Sequence, residues 1–104
     1  MSNFNSGDDT QTVSKTRKKL QEPDFYKIIL LNDDFTPMEF VVDLICKFFS
    51  KSAEDATTIM LNIHHEGFGV CGVYPLDIAE TKMNQVNQYA RSNGHPLKCR
   101  IERN

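Results

Sequence analysis

Phe25-Tyr26-Lys27-Ile28-Ile29-Leu30-Leu31-Asn32-Asp33-Asp34-Phe35-Thr36-Pro37-Met38-Glu39 is the stretch whose reading decides the fold, because an apolar strand run and a helix start meet inside it. Aliphatic and aromatic residues from Phe25 to Leu31 suit a buried strand. Thr36 has the chemistry of an N-cap, Pro37 suits the first helical position, and Glu39 stands where a capping box closes. Asn32, Asp33 and Asp34 are left on a short loop between the two. Two neighbouring acids there either complement the positive end of the helix and make a turn through their own backbone, or hold a cation.

Outward from this junction, the first helix is predicted from Pro37 to about Ser50, with Met38, Val41, Val42, Ile45, Phe48 and Phe49 at helical intervals. Ser52 is a second N-cap with Asp55 three residues on. Ala56, Ile59, Met60 and Ile63 then give a 3-4 pattern that stops before Gly67. Phe68 to Val73 is a β-rich run. Pro75 opens a third helix burying Ala79, Met83, Val86 and Ala90, with Gly94 as its C-cap. Leu97-Lys98-Cys99-Arg100-Ile101-Glu102 alternates strictly, so Leu97, Cys99 and Ile101 face a core. The order β-α-α-β-α-β predicts an α+β two-layer domain, a three-stranded antiparallel sheet covered by three helices over residues 24–104.

At 104 residues, with 39% apolar residues and a formal charge of −2, the chain can build one modest core. Residues 1–23 hold only four apolar residues (Met1, Phe4, Val13, Leu20), too few to offset the entropy of ordering, so a flexible extension is expected. That segment has a net charge of +1 and the remainder −3, with no basic stripe, so nucleic acid is not an expected partner. The longest aliphatic run, Ile28-Ile29-Leu30-Leu31, is far short of a membrane span, and no secretory signal is legible. A cytoplasmic protein without membrane association is expected. Cys46, Cys71 and Cys99, widely spaced in apolar segments, read as reduced core thiols.

No phosphate loop, Cys-x-x-Cys, His-Glu-x-x-His or Gly-x-Ser-x-Gly is present, so no catalytic residue, metal ligand or cofactor is expected. His64 and His65, adjacent on a helix, point about 100° apart and do not chelate one ion from one face. Cys46 lies mid-helix with no oxyanion-forming turn beside it, and His95 before Pro96 reads as a loop histidine. His64 differs because it follows Met60 by four residues and shares its face. If the second helix packs beside the Asn32-Asp33 loop, Met38, Val41, Met60 and Ile63 form an apolar cup with Asn32, Asp33 and His64 at its rim. Acceptors above hydrocarbon suit an ammonium group next to a large apolar side chain, and a free protein N-terminus has that chemistry.

Tyr26 to Val41 (Tyr-Lys-Ile-Ile-Leu-Leu-Asn-Asp-Asp-Phe-Thr-Pro-Met-Glu-Phe-Val) resembles the signature of the ClpS family, bacterial adaptors of the Clp AAA+ protease. Met60-Leu61 with His64, Cys71-Gly72-Val73, Ala79-Glu80-Thr81-Lys82 and His95-Pro96-Leu97 match it in order and spacing. The resemblance implies an adaptor, not an enzyme, that recognises N-degrons beginning with Leu, Phe, Tyr or Trp and delivers them to the N-terminal domain of the ClpA unfoldase. It implies that Asn32, Asp33 and His64 bind the substrate α-amino group and first peptide unit. Leu30, Leu31, Thr36, Met38, Val41, Met60, Ile63 and Leu97 would line or border the side-chain pocket, with Met38 refusing β-branched residues. Asp77, Glu80 and Lys82 would contact the unfoldase. Ile63 stands where relatives often carry Val, and Phe35 where they often carry Tyr or His.

Two other classes fit parts of the chain. The element order also resembles the C-terminal domain of the ribosomal stalk protein, in which case the Asn-Asp-Asp loop is only a turn. A small hydrolase would have to use Cys46 or His64.

Overall fold

A computed structural model describes residues 24–104; the expected extension, 1–23, lies outside them. Strand β1 (Phe25–Leu31) is followed by helices α1 (Met38–Phe49) and α2 (Ala53–Glu66), strand β2 (Phe68–Pro75), helix α3 (Leu76–Ser92) and strand β3 (Lys98–Arg103). The sheet is antiparallel throughout, in the order β2-β1-β3, so the α+β two-layer arrangement holds. The central place of β1 explains its apolar run: Ile28, Ile29 and Leu30 are all buried, because a central strand has neighbours on both sides.

Ile28, Leu30, Cys71 and Cys99 of the sheet meet Val41, Leu44 and Ile45 of α1, Ala56, Met60 and Ile63 of α2, and Ala79, Val86 and Ala90 of α3 in one core. Between Ile28 and Ile29 the β1-β2 register shifts, so β2 carries the extra residue Cys71 between the partners Val70 and Gly72. The bulge keeps Cys71 inside while Val70 and Val73 both face out, exposed. Burial pushes the Cys71 and Cys99 thiols up to about 12, so both stay protonated. Cys46 departs from expectation: it is only half-buried, at the margin of α1's apolar face.

Helix ends follow local chemistry where a side chain is free to supply it. Ser52 accepts from the Asp55 N–H at 3.1 Å, and Gly67, at φ 93°, closes α2 by donating to the Ile63 carbonyl at 2.9 Å. At α3, Gly94 takes the left-handed position (φ 77°) just past the C-cap Asn93. Lys82 reaches from α3 to the Phe48 carbonyl at 2.8 Å, capping the end of α1. Asn87 of α3 accepts from the Cys99 N–H at 2.8 Å and donates to the Cys99 carbonyl at 3.1 Å, which satisfies backbone on an edge strand.

The start of α1 corrects the sequence reading. Pro37 occupies the N-cap position with no side-chain hydrogen bond, and the helix begins at Met38. Thr36 does not cap it: it lies one residue before the N-cap, and its hydroxyl is turned to donate to Asp33 at 2.7 Å. The charge-assisted bond to the carboxylate fixes the orientation of the Thr36 side chain towards the loop. The capping box with Glu39 therefore does not form.

Candidate functional site

The loop after β1 is shaped by Asp33. Its Oδ1 accepts from the backbone N–H of Phe35 and of Thr36, both at 2.8 Å, and its Oδ2 accepts the Thr36 hydroxyl. The turn reading and the cation reading thus share one residue. A carboxylate offers about four acceptor positions. Three are taken, and the remaining lone pair on Oδ2 is available to a ligand donor. Partial burial pushes the Asp33 carboxyl up, but the Thr36 hydroxyl, the two backbone N–H groups and the charge of His95 outweigh it, so its pKa lies below the ordinary 3.8.

This sets a pH window. A carboxyl lowered in the folded state contributes stability above its unfolded value of 3.8, and loses it as pH falls through the lower folded value. Asp33→Ala should therefore lower Tm at pH 6, and the gap between the two proteins should narrow towards pH 3, as followed by thermal circular dichroism.

The loop is fixed to α2 through the backbone. The Asn32 N–H donates to the Gly67 carbonyl at 2.9 Å, and Gly67 is the residue that ends the helix carrying His64. That bond meets the condition the sequence left open, since it brings the last turn of α2 beside Asn32 and Asp33. A cavity of about 180 Å³ opens between them, lined by Asn32, Asp33, Asp34, Thr36, Met38, Val41, Met60, Ile63 and His64. It is smaller than the roughly 300–1,000 Å³ of sites for drug-sized ligands, so it suits one side chain and the adjoining backbone.

Three of the residues expected to line or border the pocket are not in the cavity wall itself. Leu30 is fully buried beneath the site as core, and Leu97 is likewise buried. Leu31, one residue past the inward-facing Leu30, lies on the other face of the sheet and lines a neighbouring groove. Asp34, the second of the two loop acids, also joins the cup lining. Met38 is 48% exposed although apolar, because it stands over an open cup.

Asp77 and Glu80 share a separate hollow with Asp24, Tyr26, Pro75 and Leu76. Lys82 is not in it. Its ammonium group is held by the Phe48 carbonyl and lies 5.8 and 5.3 Å from the Phe49 and Tyr74 ring centres.

Two further contributors are visible only in three dimensions. His95 packs its ring 4.3 Å from that of Phe40 and lies near enough to Asp33 to help lower that carboxyl, so it is more than an isolated loop histidine. Gly69 lets α2 approach the sheet: a Cβ there would lie 2.6 Å from Ile63 Cγ1 and 3.3 Å from the Ile59 carbonyl oxygen. A glycine inside a strand run was the available signal for it. Among the described residues, no group of three or more His, Cys, Asp or Glu is placed to hold a metal, and no helix is long and apolar enough to cross a membrane.

A two-layer α+β domain whose apolar cup lies beneath an acidic, amide and imidazole rim defines a small binding module. The model of the family described as ATP-dependent Clp protease adaptor protein ClpS matches residues 21–100, and the chain belongs to that adaptor family. It is 52% identical over 98 residues to the ATP-dependent Clp protease adapter protein ClpS of Shewanella denitrificans, covering 94% of this chain and 96% of that protein. Identity to the corresponding protein of Shewanella pealeana is 57% over 84 residues, covering 81% and 82% of the two chains. Among solved structures it is similar to Agrobacterium tumefaciens ClpS2 bound to L-phenylalaninamide, with a TM-score of 0.78, 36% identity, and coverage of 80% of this chain and 100% of that one.

Proposed function

We propose that the cup receives the first side chain of a protein whose N-terminal residue is bulky and apolar (Leu, Phe, Tyr or Trp), and that Asn32, Asp33 and His64 hold its α-amino group and first peptide unit. The observation that carries this reading is the open lone pair of Asp33 Oδ2 at the mouth of an apolar cup. An α-ammonium has three donors. Asp33 supplies the anion, and the Asn32 side-chain oxygen and an unprotonated His64 nitrogen are the acceptors within the same rim. L-phenylalaninamide, found on the Agrobacterium relative, has a free ammonium, an aromatic side chain and an amide in this arrangement. The protein acts as an adaptor that hands such N-degron substrates to the N-terminal domain of the ClpA unfoldase in the ClpAP protease, with Asp77 and Glu80 on the docking face. Lys82 supports that face by anchoring α3 to the end of α1.

Met38 sets the upper wall of the cup, and its half-exposed side chain would collide with a branch at the Cβ of the bound residue. Peptides beginning with Leu or Phe should bind, and those beginning with Ile or Val should bind at least about tenfold more weakly, about 1.4 kcal/mol. Met38→Ala should recover most of that loss for Ile. Fluorescence anisotropy with peptides differing only in the first residue reads both effects. Equal affinity for Leu and Ile peptides in the unsubstituted protein would remove Met38 from this role.

A further inference from the structure

Ile63 has a neighbour behind it that the cup does not show. Its side chain lines the cup, yet the residue is only 3% exposed, because most of it is packed into the core. On β2, opposite Leu30, stands Gly69, which is buried but forms no part of the cup lining. Alternation along the strand turns position 69 inward, between the exposed Phe68 and Val70.

Backbone conformation does not explain this glycine. Among the described residues only Gly67 and Gly94 are glycines with a positive φ, so position 69 has a strand conformation that any residue adopts. Space explains it. A Cβ there would stand 2.6 Å from Cγ1 of Ile63 and 3.4 Å from its Cδ1, and 3.3 Å from the Ile59 carbonyl oxygen. Carbon atoms do not settle at 2.6 Å, so an alanine methyl group would have to displace the Ile63 side chain. The rest of that side chain meets close-packed core, and the open volume beside it is the cup. The missing Cβ is therefore a notch that holds Cγ1 and Cδ1 of Ile63 back from the space a ligand side chain would fill.

We propose that Gly69 is a positioning residue for the cup: by giving Ile63 room to withdraw, it sets how large a first side chain the cup admits. The inference rests on the N-terminal recognition described above and deepens it. Met38 governs branching at the Cβ of the bound residue, whereas Ile63 and Gly69 together govern its bulk. The two positions share one volume. A methyl group added at 69 crowds the cup through Ile63, and Ile63→Val removes one methyl group from the same wall. Making both changes conserves the sum, the kind of exchange that packed interiors tolerate best.

The test uses the full chain and two dye-labelled peptides that begin with Trp or Leu and are otherwise identical, and it reads the ratio of their affinities. In Gly69→Ala the Trp-to-Leu ratio should fall about fivefold, somewhat less than the roughly tenfold or more of a methylene inside a pocket, because the methyl group acts through Ile63. In Ile63→Val the ratio should rise, and in the double variant it should return to within about twofold of the unsubstituted protein. A glycine needed for packing alone would weaken both peptides alike and leave the ratio unmoved. If Gly69→Ala does not fold, as read by circular dichroism, Ile63→Val and the double variant decide, since the double variant must have the lower ratio. Equal ratios in those two proteins, or a fall in Gly69→Ala that Ile63→Val does not reverse, would overturn the role of Gly69 and leave N-terminal recognition standing. Failure of both free peptides to bind the unsubstituted protein would overturn both.

Discussion

Asp33→Asn should weaken binding of a Phe-initiated peptide by at least about 2 kcal/mol, roughly thirtyfold, while leaving the fold in place. Asparagine is the informative substitution because the Asp33 carboxylate has two roles. Its Oδ1 holds the turn through the Phe35 and Thr36 N–H groups, and an amide oxygen can accept the same two bonds. The Thr36 hydroxyl, which now donates to Oδ2 at 2.7 Å, can rotate to accept from an amide nitrogen instead. What asparagine cannot supply is charge. An α-ammonium brought to the rim would then be partly desolvated with no anion to meet it, and truncating one partner of such a pair costs about 2–5 kcal/mol. Anisotropy titrations of the two proteins, with far-ultraviolet circular dichroism to show that the turn and helices persist, check this. Affinities within about threefold of each other would mean that Asp33 serves the turn alone.

Leu44→Ala should be the most damaging single truncation in the core for its size, costing about 2–5 kcal/mol. Leu44 has no exposed surface and packs in the one core that all three helices and the sheet share. A chain with 81 described residues has a total stability on the order of 4–12 kcal/mol, so the loss is a large part of the whole. Tm should fall by at least about 8 °C, since about 4–8 °C accompanies each kcal/mol in a domain of this size. A smaller fall, read by thermal circular dichroism, would mean that the neighbouring helices collapse into the void.

Leu44 also marks where sequence reasoning stopped. The apolar stripe read along α1 selects Val41, Ile45 and Phe49, which are buried, and Val42 and Phe48, which are half-buried, but α1 contacts α2, α3 and the sheet at once. A helix enclosed on several sides buries a wider face than a surface helix, and Leu44 fills the extra width. Met38 fails in the opposite direction: its spacing fits the stripe, yet it stands at the first turn over an open cup. Signals contained within three or four residues, such as Ser52 with Asp55 and Gly67 after Ile63, placed helix ends correctly. The start of α1 went differently because the helix begins one residue later, at Met38 after Pro37, and Thr36 is held in the loop by its bonds to Asp33.

The site divides in the same way. Asn32, Asp33, Met38, Val41, Met60, Ile63 and His64 were legible as a set because each lies on a predicted helix face or at the end of a predicted strand. They line one cavity. Leu31 and Leu97 were placed near it by resemblance alone. Strand alternation turns Leu31 to the far face, while Leu97 is buried just before β3. His95 and Gly69 escaped because their parts depend on distant partners, Phe40 in one case and Ile63 in the other, and nothing within their own segments announces such contacts.

Recognition of a free α-amino group is tested most directly by a single titration, in which two peptides with the same Phe-initiated sequence differ only in acetylation of the first nitrogen. Acetylation removes the charge and leaves one N–H donor where there were three. The free peptide should bind and the acetylated one should bind at least about a hundredfold more weakly, about 2.7 kcal/mol. Equal binding of the two would contradict the assignment of Asn32, Asp33 and His64 to an ammonium ligand, and would reduce the loop after β1 to a turn.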